Sequence, residues 1–231
     1  MRGEMEKKYL RMRKFMEFLF GVLSHTVVKG QEHVPAEGSF ILATNHVSRL
    51  DSPVLLIATP RRVYGLVANK YRRFIGFNWL LKAVDPIWIR RGDFDREALM
   101  RALGVLRQGH ALAIAPEGTR SDTGKLQNGK PGVAFLAARL GVPIVPVAIT
   151  GTEKMLEDFK RLRRMHIHIK FGPLFRLPKE GKLSGDELEA YTELVMHRIA
   201  ELLPAEYRGV YAGATLDSGE SGETILVGQS A

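Results

Sequence analysis

The chain has 231 residues, enough for one sizeable α/β domain with small appendages, and 45% of them are apolar. It has no cysteine, which excludes disulfides, thiolate chemistry, cysteine-zinc sites and a thioester-forming nucleophile. A formal net charge of +9 favours an anionic partner: nucleic acid, an acidic membrane surface or phosphorylated substrates.

Residues 4–24 read as a helix. Met5, Tyr9, Met12, Met16, Leu19 and Leu23 recur at steps of three and four, with Lys7, Lys8, Arg11 and Lys14 on other faces. Such a stripe either packs on the domain's own core or lies on an anionic membrane. The nearly all-apolar end, with Phe15, Met16, Phe18, Leu19, Phe20, Val22 and Leu23, favours lipid contact. The apolar run 15–23 contains Glu17 and falls short of the roughly 18 residues that a membrane-spanning helix needs. It also lacks a secretory cleavage site, so the protein is expected in the cytosol or on a cytosolic membrane face.

Val27 and Val28 begin a strand closed by Pro35 and Gly38, and Phe40, Ile41, Leu42 and Ala43 form a second, buried one. Ser52 and Pro53 then resemble an N-cap and first residue of a helix. Further strands are predicted over 63–67, 86–89, 111–115, 144–149 and 166–171, with a basic loop at 69–73 and a short helix over 74–82. Asp93 or Asp95 caps a helix that buries Leu99, Ala102, Leu103 and Leu106, with Gly109 as its stop. Pro131 opens a helix with a small-residue face of Ala134, Ala137 and Ala138. Ser184 and Glu187 make a capping box for a last helix that Pro204 closes. This alternation predicts an α/β fold with a mostly parallel central sheet and helices on both faces. Three parts are expected: a basic amphipathic membrane-binding helix at 1–25, an α/β domain at 26–210, and a flexible acidic tail at 211–231.

The chemistry centres on Asn45-His46-Val47-Ser48-Arg49-Leu50-Asp51. On a continuous helix a spacing of five separates side chains by roughly 140°, whereas a strand-loop-helix corner can fold His46 onto Asp51. The carboxylate would then take one ring N–H and leave the other nitrogen free for a proton. Arg91 ends one strand and Arg120 follows another, so the sheet can gather both beyond its carboxyl edge, where guanidinium groups suit a phosphate. Residues 124–130 mimic a phosphate loop, but Pro131 replaces its magnesium-holding hydroxyl residue and no strand leads directly into it, so a nucleotide site is rejected. Arg161, Arg163, Arg164, His166 and His168 form a second basic cluster. The two histidines share a strand face without a third ligand nearby, so no metal is expected. The absence of a Gly-x-Ser-x-Gly elbow disfavours a serine hydrolase.

Four blocks in order resemble the glycerolipid acyltransferase family, whose best-known members are the 1-acylglycerol-3-phosphate acyltransferases. They are Asn45-His46-x4-Asp51, Ile87-Trp88-Ile89-Arg90-Arg91, Pro116-Glu117-Gly118-Thr119-Arg120-Ser121 and Val142-Pro143-Ile144-Val145-Pro146-Val147. The resemblance covers about residues 25–175. The first block is complete, and the third departs only in Ala115, where the family usually shows phenylalanine. It implies that Glu117, Gly118 and Arg120 belong to the acceptor-binding block and Arg91 to the second block. Many members carry an acid before that arginine, and here Arg90 stands in its place, leaving two candidates, of which Arg91 is chosen. Lys130 occupies a position where the family often has lysine, at a helix start that also favours anions.

The residues together with the resemblance imply His46 as base, held by Asp51, with transfer from a thioester in a ternary complex. The donor would be acyl-CoA or acyl carrier protein, the acceptor lysophosphatidic acid, and the product phosphatidic acid, with no cofactor. The alternatives are a different lysolipid acceptor, or a basic membrane-binding protein without catalysis. Nucleic acid is disfavoured because the basic clusters lack interleaved aromatics.

Overall fold

The computed structural model of the protein describes residues 2–73, 81, 83–90 and 95–213. Its strands are β1 (Ser24–Lys29), β2 (Phe40–Thr44), β3 (Val63–Ala68), β4 (Ile87–Ile89), β5 (Ala111–Ile114), β6 (Ile144–Thr150) and β7 (Met165–Phe171). They form one seven-stranded sheet in the order β1-β7-β6-β2-β5-β3-β4, parallel throughout except where β6 meets β7. β2 lies between β5 and β6 and is buried at all its positions, which is why it reads as an unbroken apolar run rather than an alternation.

The helices are α1 (Arg2–Leu23), α2 (Asp51–Ala58), α3 (Arg96–Arg107), α4 (Gly132–Leu140), α5 (Met155–Lys160) and α6 (Gly185–Ala200). On one face of the sheet Ile41, Leu112 and Ile144 pack with Leu103 and Leu106 of α3, Leu136 of α4 and Met196 of α6. On the other, Phe40, Leu42, Val145 and Ile167 pack with Met16 and Phe20 of α1 and Val54 of α2. The expected α/β sheet with helices on both faces is thus present. At the β1–β7 flank one face is bare, exposing His25, Val27 and Lys29 beside His166, His168 and Lys170.

The stripe on α1 is used by the domain itself: Tyr9, Met12, Met16 and Phe20 are buried. Arg13 strengthens the contact by donating to the carbonyls of Thr59 and Ile57 at the end of α2. The apolar residues left outside include Leu10, Phe18, Val22 and Leu23, so any lipid contact of this helix falls to a second face. No helix among the described residues is long and apolar enough to cross a membrane.

Asp95 caps α3 by accepting from the Ala98 amide, and Ser184 and Glu187 form the expected capping box on α6. The helix expected over 74–82 lies outside the described residues except at Leu81. The proposed tail boundary shifts, because Tyr211 is buried and belongs to the core under α6. Its hydroxyl donates to Glu193, and its ring meets His197 edge-on. Most of the expected tail, 214–231, lies outside the described residues. Tyr211→Ala should therefore destabilise the domain by about 3 kcal/mol, as loss of a buried aromatic does, read as a lower midpoint in chemical denaturation.

Candidate active site

Because β2, β3, β4, β5 and β6 run parallel, their carboxyl ends share one edge, where ligands bind in open α/β sheets. β2 delivers His46, β5 delivers the 115–121 turn, and β6 delivers Thr152. Asn45, at the first position past β2, is buried and stands in for a strand residue. Its side chain donates to the Ile149 carbonyl and accepts from the Ile149 amide, both at 2.8 Å. That pair of bonds extends β2's grip on β6 by one rung, so His46 leaves the sheet from a fixed point.

His46 meets Asp51 as the sequence predicts, with Nδ1 2.8 Å from Asp51 Oδ2. The same oxygen accepts from the backbone N–H groups of Val47 and Ser48, each at 2.8 Å. Its other oxygen accepts from the Thr152 hydroxyl at 2.5 Å. Asp51 and Thr152 are both buried, so the carboxylate is fully engaged and cannot turn away from the imidazole. Ser52 does not cap α2. The helix begins at Asp51, whose carboxylate folds back over the preceding loop amides instead. With Nδ1 committed to Asp51, the proton is held on that nitrogen and Nε2 presents a lone pair.

The 115–121 turn grips the backbone of His46 from the other side. Glu117 Oε1 accepts from the His46 amide at 2.7 Å, and the Ser121 amide donates to the His46 carbonyl at 2.8 Å. Glu117 Oε2 accepts from the Gln127 amide at 3.0 Å. Glu117 is only 2% exposed, and burial pushes its carboxyl above the usual range, opposed by the His46 and Gln127 amides. The resemblance placed Glu117 in the acceptor-binding set. Its geometry is instead that of a buried latch on the histidine loop, with both oxygens turned to backbone donors.

Gly118 is exposed at φ 71°, and a Cβ there would come within 2.9 Å of the Lys130 side chain. The positive φ favours glycine here, and the Lys130 amide donates to the Pro116 carbonyl at 2.7 Å, which holds that residue against the turn. Arg120 is half-buried, and its Nε is enclosed without a hydrogen-bond partner among the described residues. Arg91 lies outside the described residues. Arg90 is exposed, and its amide and guanidinium face Asp95, the residue that caps α3. Sequence reasoning missed Thr152, Gln127 and the backbone role of Ser121. A Gly-Thr step directly after a buried strand is the one signal that could have marked Thr152.

A family model described as acyltransferase matches residues 25–150. The chain belongs to the acyltransferase family. The probable 1-acyl-sn-glycerol-3-phosphate acyltransferase of Mycoplasma pneumoniae is 31% identical over 168 residues, covering 70% of this chain and 62% of that one. The 1-acyl-sn-glycerol-3-phosphate acyltransferase of Borreliella burgdorferi is 27% identical over 181 residues, covering 77% and 71%. The chain thus spans somewhat under two thirds to about 70% of the length of these relatives. Among solved structures, the 1-acyl-sn-glycerophosphate (LPA) acyltransferase of Thermotoga maritima matches with a TM-score of 0.66 at 29% identity, covering 84% of this chain and 79% of that one.

For this acyltransferase, a latch and an acceptor ligand make different kinetics. Glu117→Gln keeps one acceptor but sets an amide N–H against the Gln127 N–H, so kcat should fall about tenfold or more while KM for the acceptor stays level. Glu117 is held above its ordinary carboxyl range in the fold, so its stability contribution is fully present below the unfolded value and is lost as pH rises through the raised one. The melting temperature of the wild type relative to Glu117→Gln should accordingly fall as pH rises through that window, in thermal scans across acid to neutral buffers.

Proposed function

We propose that the protein transfers a fatty acyl group from a thioester to the sn-2 hydroxyl of 1-acylglycerol 3-phosphate, giving phosphatidic acid in phospholipid synthesis. The observation that carries this reading is the 2.8 Å contact between His46 Nδ1 and Asp51, in a chain of this family. The relatives named above support the choice of acceptor. His46 Nε2 takes the proton from the acceptor hydroxyl as its oxygen attacks the thioester carbonyl. The tetrahedral intermediate then expels the thiolate, which the imidazolium protonates. Asp51 keeps the ring in the required tautomer and steadies the imidazolium.

Arg120 and Lys130 bind the acceptor phosphate, with Arg91 as the third cation from the 87–91 block, and the Gly118 turn brings Lys130 into place. An enclosed guanidinium nitrogen without a partner is what an anionic ligand would complete. Acyl-CoA and acyl carrier protein both fit as donor. The enzyme works from the cytosolic face of an anionic membrane as a peripheral protein, held by the exposed apolar face of α1.

An acyl-transfer assay of purified protein, with each donor and with lysophosphatidic acid, glycerol 3-phosphate and lysophospholipids as acceptors, tests this directly. Transfer to lysophosphatidic acid is expected to dominate, and a preference for a zwitterionic lysophospholipid would refute the acceptor assignment. His46→Ala should fold and lose about 10²- to 10⁴-fold in kcat, and near-wild-type turnover would dismiss the base. Arg120→Ala should raise KM for lysophosphatidic acid by an amount matching about 1.5–3 kcal/mol. Arg120→Lys should recover only part, because an ammonium cannot fork onto two phosphate oxygens.

A further inference from the structure

The β6–β7 crossover carries a feature that neither the core nor the active site uses. Three apolar side chains stand out from it: Leu156 is 66% exposed, Phe159 72% and Leu162 94%. α5 ends in a Schellman turn, in which the Leu162 amide donates to the Phe159 carbonyl at 3.1 Å and the Arg163 amide to the Asp158 carbonyl at 2.9 Å. The left-handed position of that turn, ordinarily glycine, is Leu162 at φ 52°. A leucine there meets its own backbone unfavourably, and at 94% exposure its side chain gains little packing to offset the strain.

Around these side chains, residues 154–164 hold five cations, Lys154, Lys160, Arg161, Arg163 and Arg164, against the carboxylates of Glu157 and Asp158. Arg161 pairs with Glu157. The Arg164 guanidinium donates to the carbonyls of Gly21 and Ser24, which ties the crossover to the end of α1. Phe18, Val22 and Leu23 are exposed at that same end. Because β7 runs antiparallel to β6, the crossover sits at the carboxyl end of β6, the edge that carries His46.

We propose that the turn at 155–164 is a second membrane-inserting element, which seats the active-site edge on an anionic lipid surface by pushing Leu156, Phe159 and Leu162 among the acyl chains. It rests on the lipid-acceptor reading above and extends it to a named surface. Protruding apolar tips ringed by lysine and arginine match a bilayer boundary, with stems buried and charges at the headgroups. A protein partner calls for a contiguous patch of several hundred Å² on each side, whereas a bilayer accepts isolated tips. Thr152, which leads into the turn, bonds Asp51, so insertion brings the catalytic pair to the depth of a lysolipid headgroup.

The test uses the full chain with phosphatidylcholine vesicles, with and without phosphatidylglycerol. The combined variant Leu156→Ser, Phe159→Ser, Leu162→Ser should lose about tenfold or more in partitioning to the anionic vesicles. It should keep wild-type kcat/KM on a dispersed short-chain lysophosphatidic acid, which shows that it folds. Leu162→Gly alone should weaken vesicle binding while raising the melting temperature by about 2–4 °C, a combination that a core-packing role would not give. Undiminished vesicle binding by both variants overturns the proposal. So does intact vesicle binding with a raised KM for acyl carrier protein, which would make the turn a carrier dock. Should the wild type fail to acylate lysophosphatidic acid, the function reading falls, while the vesicle measurements still decide whether the turn inserts.

Discussion

Everything at the active edge depends on His46 being held at three points. Its ring is fixed through Nδ1 by Asp51, its amide by Glu117 and its carbonyl by Ser121. A loop residue is ordinarily mobile, and a general base that wanders by about 1 Å can forfeit around 10²-fold in rate. Here the loop has no freedom left in its two backbone polar groups. The clamp also explains why a buried carboxylate is tolerated. Glu117 is desolvated, which disfavours its charge, but each oxygen receives a backbone N–H that a neutral side chain of the same shape could not match twice. The order of β2 and β5 as neighbours brings the two loops within reach, so the sheet topology itself sets the position of His46.

The architecture was readable because its strands and helices carry distinct periods. β2 and β6 are buried along their whole length and apolar up to a closing threonine, β7 alternates strictly, and α3 and α6 announce their starts with Asp95 and Ser184. The His46–Asp51 pair was readable for a related reason, since a five-residue spacing closes only across a strand-loop-helix corner. What escaped was contact between segments far apart in the chain. Thr152 reaches Asp51 across a separation of 101 residues, and Glu117 reaches the His46 amide across 71. No local pattern encodes either bond. The resemblance put Glu117 in the right block, but only burial and direction showed that its carboxylate faces the histidine loop. The same holds for α1, whose stripe predicted an amphipathic helix without saying what would cover it. The answer was the domain's own core for Met12, Met16 and Phe20, while the Arg62 guanidinium lies over the Tyr9 ring.

Charge and burial divide the labour on the 115–121 turn. Glu117 points inward and is spent on the backbone, while Gly118 and Thr119 are exposed and Arg120 stands between. The Arg120 guanidinium has one enclosed N–H without a hydrogen-bond partner among the described residues. A dianionic phosphate would satisfy it and would also neutralise Lys130, which Gly118 admits to the same turn. A zwitterionic headgroup brings its own cation and would leave the cluster with excess positive charge. Selectivity on this reading comes from the penalty against the wrong headgroup as much as from attraction to the right one.

The antiparallel step from β6 to β7 has consequences beyond topology. A parallel continuation would have carried the chain back along the sheet before the next strand, leaving the active edge to the β2 and β5 loops. Reversal keeps residues 151–164 at that edge. Gly151 makes the reversal possible: it lies at φ 90°, and a Cβ would fall 1.9 Å from the His166 carbonyl oxygen, far inside van der Waals contact. From that tight point the chain supplies Thr152 to Asp51 on the inner side and Leu156, Phe159 and Leu162 to solvent on the outer side. One short crossover therefore touches the Asp51 carboxylate at its start and presents exposed apolar side chains at its end. An acceptor whose acyl chain stays in a bilayer needs its hydroxyl met at the interface, and on the proposed reading this crossover would couple the position of His46 to the depth at which the protein sits.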